Sequence, residues 1–285
     1  MNISEKAMLV ALSISAWSGR KYDKQASAEI AQNHGTDASR AGRFNKLLVN
    51  PTSLKDIASI AGNARNYTML STLPWLNDGV RIIPVDIYLE YSQKMSEYKS
   101  QFNQAVDKLA IEYNAIVNQA RLDLNGLFKE SDYPSVDSIR HKHAFSVRVF
   151  NLPDSGDFRV ALSESEFQST KQEIEQNLNE ATDNAVRDVF QRMSMRMEHM
   201  IKRLKDAEAN DGKGIRESMM KNICELSDIL PKLNITSNPD IDGIAFQIKN
   251  ELANISSDDL RENQGARIAA AQSARDILNK VSSYI

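Results

Sequence analysis

Apolar residues recur at intervals of three and four along two long stretches of the chain. The first runs from about Pro84 to Phe128, and its apolar stripe consists of Tyr91, Met95, Tyr98, Phe102, Ala105, Leu109, Tyr113, Ile116, Ala120, Leu124 and Leu127. The second runs from Ser163 to about Ala209, with a stripe of Phe167, Ile174, Leu178, Ala181, Ala185, Val189, Met193, Met197, Met200 and Leu204. This spacing is typical of one face of an α-helix, and about 40 helical residues extend about 60 Å. The matched lengths predict a long antiparallel helical pair.

The second long helix carries a clear start signal. Ser163 is followed three residues later by Glu166, which is the spacing of a capping box. Leu162 and Phe167 are placed to form a hydrophobic staple across the same turn. The glycine-containing segment 210–214 is expected to end the helix.

Between the two helices the period of the apolar residues changes to two. Phe145, Val147 and Val149 alternate with other residues, and the turn-forming segment 153–156 follows them. The alternation resumes after this turn at Phe158, Val160 and Leu162. This pattern predicts a β-hairpin inserted at about 143–162.

The remaining segments predict shorter elements. After Gly214 the spacing indicates helices over 215–230, ended by Pro231, over 241–255, and from Ser256 or Ser257 to the end. The first 84 residues predict short helices, a turn and a strand, at 26–32, 38–48, 54–67, 77–79 and 80–83. We therefore expect a mostly α protein with minor β structure, divided into a mixed head (1–84) and an elongated helical body (85–285).

Composition agrees with a helical protein of a reducing compartment. Eleven glycines and seven prolines are few for 285 residues, and ten methionines suit the irregular gaps between packed helices. The single cysteine, Cys224, excludes an intramolecular disulfide framework. The N-terminus lacks the basic region of a secretory signal, and no apolar stretch reaches the roughly 18 residues of a membrane span. We expect a cytoplasmic protein with no membrane partner.

Charge and aromatic residues single out part of the head. Residues 1–84 hold ten Lys and Arg against six Asp and Glu, whereas residues 85–285 hold 25 against 32. Aromatic rings interleaved with cations are typical of single-strand binding, although a solvated basic face has the same composition. The candidate nucleic-acid or partner contacts are Trp17, Arg20, Lys21, Tyr22, Lys24, Arg40, Arg43 and Lys46. In the alternative interpretation Gly19 makes a turn, Trp17 anchors the head, and Arg20 and Lys21 face solvent.

Sequence motifs for catalysis or cofactor binding are lacking. Gly19 precedes Arg20 and Lys21 without the second glycine and the hydroxyl residue of a phosphate-binding loop. His141 and His143 would share a face on a strand, but a zinc site needs further ligands, and no companion spacing supplies them. We expect both imidazoles to be solvated near the hairpin. Asp154 and Asp157 suit turn chemistry better than paired acid–base catalysis. We expect no cofactor, no metal and no catalytic residue.

The methionine run near the end of the second helix has a structural interpretation. Met193, Met197 and Met200 fall on the apolar stripe, which predicts that they are core residues, whereas Met195 falls off it. Nearby basic residues give this end of the helix a positive flank, for which a solvated face is the simplest interpretation.

Several short segments together resemble a known family. In order along the chain they are ISAWSGRK, GRFNKLL, TLPWLNDGVRIIP, FKESDYP, FNLPDSGDFRVAL, LPKLNI and DDLRENQGAR. They resemble an uncharacterised family of bacteriophages and other mobile elements, over nearly the whole chain. The resemblance implies genes beside a MoxR-type AAA ATPase and a von Willebrand-type partner, and hence an adaptor or client role. It implies no catalytic residues.

These observations leave two functions open. The favoured hypothesis is a non-enzymatic, phage-type interaction protein that oligomerises or docks on a partner, such as a MoxR-type AAA ATPase, through long helical surfaces. The alternative is a nucleic-acid-binding protein that uses the basic, aromatic head for DNA, including single-stranded DNA. A membrane-active helical protein is disfavoured, because the long stripes include no exposed apolar hairpin that could insert.

Overall fold

The computed structural model describes residues 3–37, 39–76, 79–153 and 164–285. Within these ranges the fold is mostly α with a minor β component, as predicted. The helices are α1 (Lys24–Asn33), α2 (Lys55–Ser71), α3 (Val85–Leu124), α4 (Val136–His141), α5 (Glu164–Glu208), α6 (Glu217–Leu233), α7 (Pro239–Ile248), α8 (Ser257–Glu262) and α9 (Gln264–Val281). The strands are β1 (Ala7–Ser15), β2 (Arg20–Tyr22), β3 (Asn45–Leu47), β4 (Leu73–Pro74), β5 (Arg81–Pro84) and β6 (Ala144–Phe150).

The strands form two small sheets. The larger has the order β4-β5-β1-β6, in which β1 and β5 are antiparallel with Ala7 opposite Pro84. β4 is antiparallel to β5, with Leu73 opposite Ile82. The smaller sheet is an antiparallel two-stranded ribbon of β2 and β3. This ribbon carries most of the predicted contact residues.

Contacts between Cα atoms divide the chain into two compact units, and neither unit is a continuous stretch of sequence. Unit 1 comprises Met1–Ala11, Met69–Tyr91 and Arg148–Ile285, and unit 2 comprises Leu12–Thr68 and Ser92–Val147. The expected head and body therefore each contribute to both units.

Unit 1 contains the helices from α5 to the C-terminus, and its core includes the methionine run. Met193, Met197 and Met200 are fully buried, whereas Met195 is 61% exposed, which confirms the assignment made from the stripe. The other buried apolar residues of α5 are Ala181, Ala185, Val189, Phe190, Leu204 and Ala207. Small and flexible side chains on this face allow neighbouring helices to approach closely.

Helix α5 packs along α9 in unit 1. Phe190 of α5 stacks on Tyr284, beyond the end of α9, with ring centroids 4.3 Å apart. Gly212, just beyond the C-terminal end of α5, lies against the backbone of Arg261, which precedes the N-terminal end of α9. The two helices therefore run antiparallel. Pairing of α5 with α3 stays a prediction.

Unit 2 has its own core around α2, α3 and β6. Ile57 and Ala64 of α2, Phe102 of α3 and Ile139 of α4 are buried. The ring of Phe102 lies 5.7 Å from that of Phe145 on β6. These residues form part of the apolar core of unit 2, which is also the unit that contains the β2–β3 ribbon.

One predicted helix of the head is wrong. The segment 38–48 does not form a helix in its described part, because residues 39–44 make turns and bends and the chain then enters β3. Gly42 has a φ of +84°, a left-handed conformation that interrupts a helix. The backbone of Asn45–Leu47 pairs with β2 instead. The other two short helices are confirmed as α1 and α2.

Two helix ends also differ from the prediction. Pro231 lies inside α6, which continues to Leu233, because Leu230 and Leu233 are buried on the inner side of the last turn. The last helix is divided. Ser256 caps α8 as expected, accepting the N–H of Asp259 at 2.9 Å, but α8 ends at Glu262 and Asn263 caps α9.

The predicted hairpin is described in its first half only. β6 is present, and its neighbour in the sheet is β1. The turn at 154–156 and the strand through Phe158, Val160 and Leu162 lie outside the described residues, as does the cap residue Ser163. The turn at Asn77 and Asp78 also lies outside them, and the strand after it is β5.

Candidate nucleic-acid interface

A tight turn at Gly19 introduces the ribbon. Gly19 has a φ of +64°, and its carbonyl accepts the N–H of Leu48 at 2.7 Å. A Cβ atom at this position would lie 2.8 Å from Leu54 Cδ1 and 2.9 Å from Val49 Cγ2. Both the backbone conformation and the available space therefore require glycine. The expected turn is confirmed.

The inner face of the ribbon carries two lysines. Lys21 and Lys46 are opposite each other in the register and therefore point to the same side. Their ammonium groups contact the two oxygens of one carboxylate, that of Asp132, at 2.8 Å from Lys21 and 2.6 Å from Lys46. Both inner cations are thus neutralised within the protein.

Lys46 is the centre of a buried network. It is 1% exposed, and its Nζ atom also lies 3.1 Å from Asp23 Oδ2 and 2.7 Å from the carbonyl of Leu127. Burial disfavours the ammonium, but hydrogen bonds to Asp132 and Asp23 outweigh this effect and raise the pKa of Lys46. Lys46, a predicted contact residue, faces the protein rather than a ligand.

The two carboxylates of the network are held in their charged form. Asp23 caps α1, where it accepts N–H groups of Gln25 and Ala26, and the bonds to Ala26 and Lys46 lower its pKa. Burial opposes the charge of Asp132, but hydrogen bonds from Lys21 and Lys46 outweigh it and lower its pKa. The network therefore contains two negative and two positive charges.

Aromatic contacts place Asp132 beneath the ribbon. Phe128 stacks on Tyr133 with ring centroids 5.0 Å apart, and the guanidinium of Arg121 lies 4.9 Å from the Phe128 ring centroid. The hydroxyl of Tyr133 donates to the carbonyl of Leu48, immediately after β3, at 2.7 Å. These contacts fasten the segment around Asp132 to the end of the ribbon.

The outer face of the ribbon is exposed and basic. Arg20 lies opposite Leu47, and Tyr22 lies opposite Asn45, so these four side chains share the face away from Asp132. Tyr22 is 45% exposed and Leu47 43%. The guanidinium of Arg43 lies 5.6 Å from the centroid of the Tyr22 ring, a cation–π contact. An aromatic ring and two arginines are therefore presented together.

Lys24 and Arg40 complete the exposed cations of this segment. Lys24 opens α1, and Arg40 lies in the connection between α1 and β3. Within the described part of the chain, Arg20, Lys24, Arg40 and Arg43 form no ion pair. The carboxylate of the neighbouring Asp37 accepts hydrogen bonds from the backbone and side chain of Ser39. These four cations remain available to an external anion.

A cleft of about 460 Å³ adjoins Tyr22. Its lining residues are Tyr22, Asp23, Lys24, Gln25, Ala28, Lys129 and Asp132. Lys129 is exposed, and its Nζ atom lies 3.3 Å from the side-chain oxygen of Gln25 at the start of α1. The cleft thus lies between the N-terminal turn of α1 and the segment that carries Asp132.

Trp17 is separate from the exposed face. Its side chain is half-buried, with its ring edge-on to that of Tyr113 at 6.1 Å, and its backbone N–H donates to Nε2 of His143 at 3.4 Å. His143 Nδ1 lies 2.8 Å from the carbonyl of Ile139, so Nδ1 carries the proton. Trp17 therefore anchors the segment before the ribbon. Arg20 faces solvent as expected, whereas Lys21, although 48% exposed, is paired with Asp132 on the inner face.

The expectation of solvated histidines is wrong for His143. It is buried at 9% exposure before β6, and burial lowers its pKa. His141 ends α4 instead of sharing a strand face with it. A buried histidine that accepts a backbone N–H has no sequence signal of its own.

The structure brings most of the predicted contact residues together. Arg20, Tyr22 and Arg43 share the outer face, and Lys21 and Lys46 lie on the inner face. No local pattern joins Asp132 and Lys129 to them, because both come from a segment about 80 residues beyond β3.

Three further findings concern metal sites, membrane-spanning helices and similarity to known proteins. The described residues contain no group of three or more His, Cys, Asp or Glu side chains placed to hold a metal. None of the described helices combines the length and apolar character needed to cross a membrane. The chain matches no protein-family model, no curated protein and no solved structure.

Proposed function

We propose that this chain is a non-enzymatic nucleic-acid-binding protein and that the outer face of the β2–β3 ribbon is its contact surface. The observation that supports this proposal most directly is the separation of charge across the ribbon. The inner lysines are neutralised by Asp132 and Asp23, whereas Arg20 and Arg43 on the other side have no carboxylate partner among the described residues.

The exposed groups match the chemistry of a nucleic-acid backbone. Guanidinium groups donate hydrogen bonds to phosphate oxygens, and binding releases the counterions that surround the strand. The antiparallel ribbon fixes the spacing of Arg20 and Tyr22 along one edge. Affinity from such contacts is expected to be independent of sequence and strongly dependent on salt.

Fluorescence anisotropy with labelled DNA at several salt concentrations tests the proposal. If Arg20, Lys24, Arg40 and Arg43 all contact phosphates, the logarithm of affinity falls against the logarithm of salt with a slope of about −3. Arg20→Gln and Arg43→Gln should each reduce this slope by about 0.7. Lys108→Gln, an exposed charge change on α3 outside the ribbon, is the matched control and should leave it unchanged.

Two outcomes would contradict the proposal. The first is the lack of any binding at low salt by the folded protein. The second is a slope that Lys108→Gln reduces as much as Arg20→Gln does, since the binding would then reflect overall charge rather than the ribbon.

A second candidate function is protein–protein docking through the long helices, and a specific observation on α3 favours it. Ile111 is 80% exposed and Leu122 is 74% exposed. They are eleven residues apart, which places them on one face of the helix about 16 Å apart. The buried Leu109, Tyr113 and Ala120 lie on the other side of α3. A partner helix that packs on this face would bury both apolar side chains, and their removal from water would favour docking.

Light scattering coupled to size exclusion tests this second candidate. Self-association that Ile111→Glu and Leu122→Glu abolish would support an oligomer through α3. Ser100→Glu, another exposed position of α3, is the control for added charge. If the wild-type protein is a monomer, a pull-down with the MoxR-type ATPase that the resemblance implies is the remaining test, and failure of both would contradict docking.

A further inference from the structure

We infer that one nucleotide of a single strand binds at the end of the ribbon, with its base on the exposed ring of Tyr22 and its phosphate on Lys24 and Lys129 at the mouth of the adjoining cleft. This inference rests on the proposed function and adds to it a choice of single-stranded over duplex nucleic acid.

The charge of the cleft is positive after its internal pairs are counted. Its carboxylates, Asp23 and Asp132, are matched by the ammonium groups of Lys46 and Lys21 at 2.6 to 3.1 Å. Within the described residues neither Lys24 nor Lys129 forms an ion pair, and the ammonium of Lys129 has one hydrogen bond, to the side-chain oxygen of Gln25. Two uncompensated cations therefore line the cleft, and they come from different segments of the chain.

The carboxylate of Asp23 determines which groups of the cleft remain free. Its oxygens occupy the first N–H groups of α1, from Gln25 and Ala26, as well as the ammonium of Lys46. An incoming phosphate therefore meets the lysine side chains rather than the helix terminus. This arrangement favours a phosphate at the mouth of the cleft.

The exposed ring of Tyr22, on the outer face of the ribbon at the edge of the cleft, distinguishes a single strand from a duplex. Tyr22 is 45% exposed, and Arg43 lies over its ring. A base can stack on such a ring only when it is free of its own neighbours, as in a single strand, because duplex bases are stacked and paired inside the helix. The volume of about 460 Å³ lies within the range of small-molecule sites, about 300–1,000 Å³.

Anisotropy titrations with the full chain test the inference. The probes are labelled oligothymidylate, a labelled duplex of the same length, and unlabelled deoxyadenosine monophosphate as a competitor. Removing one stacked base is expected to weaken binding about fivefold to a hundredfold. Tyr22→Leu should therefore lose this factor for oligothymidylate and leave duplex binding within about twofold.

Two further variants separate stacking from charge and from folding. Tyr22→Phe keeps the ring and should retain single-strand affinity. Lys129→Gln should weaken single-strand binding and reduce its salt slope by about 0.7. Lys108→Gln again serves as the control, and circular dichroism of each variant confirms that helix content is retained.

The outcomes distinguish this inference from the proposed function. Equal loss of single-strand and duplex binding in Tyr22→Leu would overturn the stacking role while phosphate binding by the ribbon stands. Duplex binding as tight as single-strand binding would do the same. Tight binding of the mononucleotide without binding of oligothymidylate would overturn the assignment to a strand. No binding of any probe at low salt would overturn both proposals.

Discussion

Replacing Lys46 by methionine tests whether the buried network holds the ribbon in place. The substitution keeps most of the length of the side chain and removes the ammonium that joins Asp23, Asp132 and the carbonyl of Leu127. Loss of one partner from a fully buried ion pair costs about 3–5 kcal/mol. Asp23 and Asp132 line an open cleft, so water reaches them after the change, and we expect a smaller loss of about 2 kcal/mol.

The measurement has to report on unit 2, which contains the network. Trp17 belongs to unit 2 and Trp75 to unit 1, so a Trp75→Phe background leaves one tryptophan that follows unit 2. Urea unfolding followed by its fluorescence should show a lower midpoint for Lys46→Met with an unchanged slope. The lower pKa values of Asp23 and Asp132 mean that the network stabilises the fold above about pH 4 and loses this effect as pH falls further. In Lys46→Met, the free energy of unfolding should therefore fall less steeply below about pH 4.

Lys21→Met is the matched control for the loss of one ammonium. Lys21 contacts the same carboxylate but is 48% exposed, so its contribution to stability should lie below about 1 kcal/mol. The double variant Lys46→Met with Asp132→Asn should cost less than the two single changes added together, because each already breaks the same contact. If Lys46→Met and Lys21→Met destabilise unit 2 equally, the buried network does not hold the ribbon.

Three further predictions concern unit 2. Gly19→Ala should destabilise unit 2 by about 2 kcal/mol in the same urea assay. Gly35→Ala, at a similar φ but with open space around it, should cost only about 1 kcal/mol, and equal losses would show that packing at Gly19 is unimportant. Burial lowers the pKa of His143, so as pH falls the unfolded chain binds a proton at this histidine before the folded protein does, and the free energy of unfolding should decrease below about pH 6.5. Thermal unfolding at several pH values should show this decrease in the wild-type protein and not in His143→Gln. Burial raises the pKa of Tyr113 to about 12, and the hydroxyl has no hydrogen-bond partner among the described residues. Tyr113→Phe should therefore leave the urea unfolding midpoint unchanged or raise it, and a clearly lower midpoint would reveal a partner for the hydroxyl.

The sequence alone determined the helical elements, because their apolar period is local. The long helices α3 and α5 were predicted within a few residues, since a stripe repeated over many turns has one consistent interpretation. Local chemistry likewise identified the turn at Gly19 and the cap at Ser256. The same local rules failed at 38–48, where pairing with β2 overrides the apolar spacing.

The tertiary structure decided which of the predicted contact residues face outward. Strand pairing turns Lys46 inward and leaves Arg20 outside, although the two residues look equivalent in the sequence. Asp132 and Lys129 reach the ribbon from a distant segment, and nothing near them in the sequence indicates that contact. The type of a side chain determines its charge. Its exposure and its partners depend on contacts with residues far away in the sequence, and no local sequence pattern predicts those contacts.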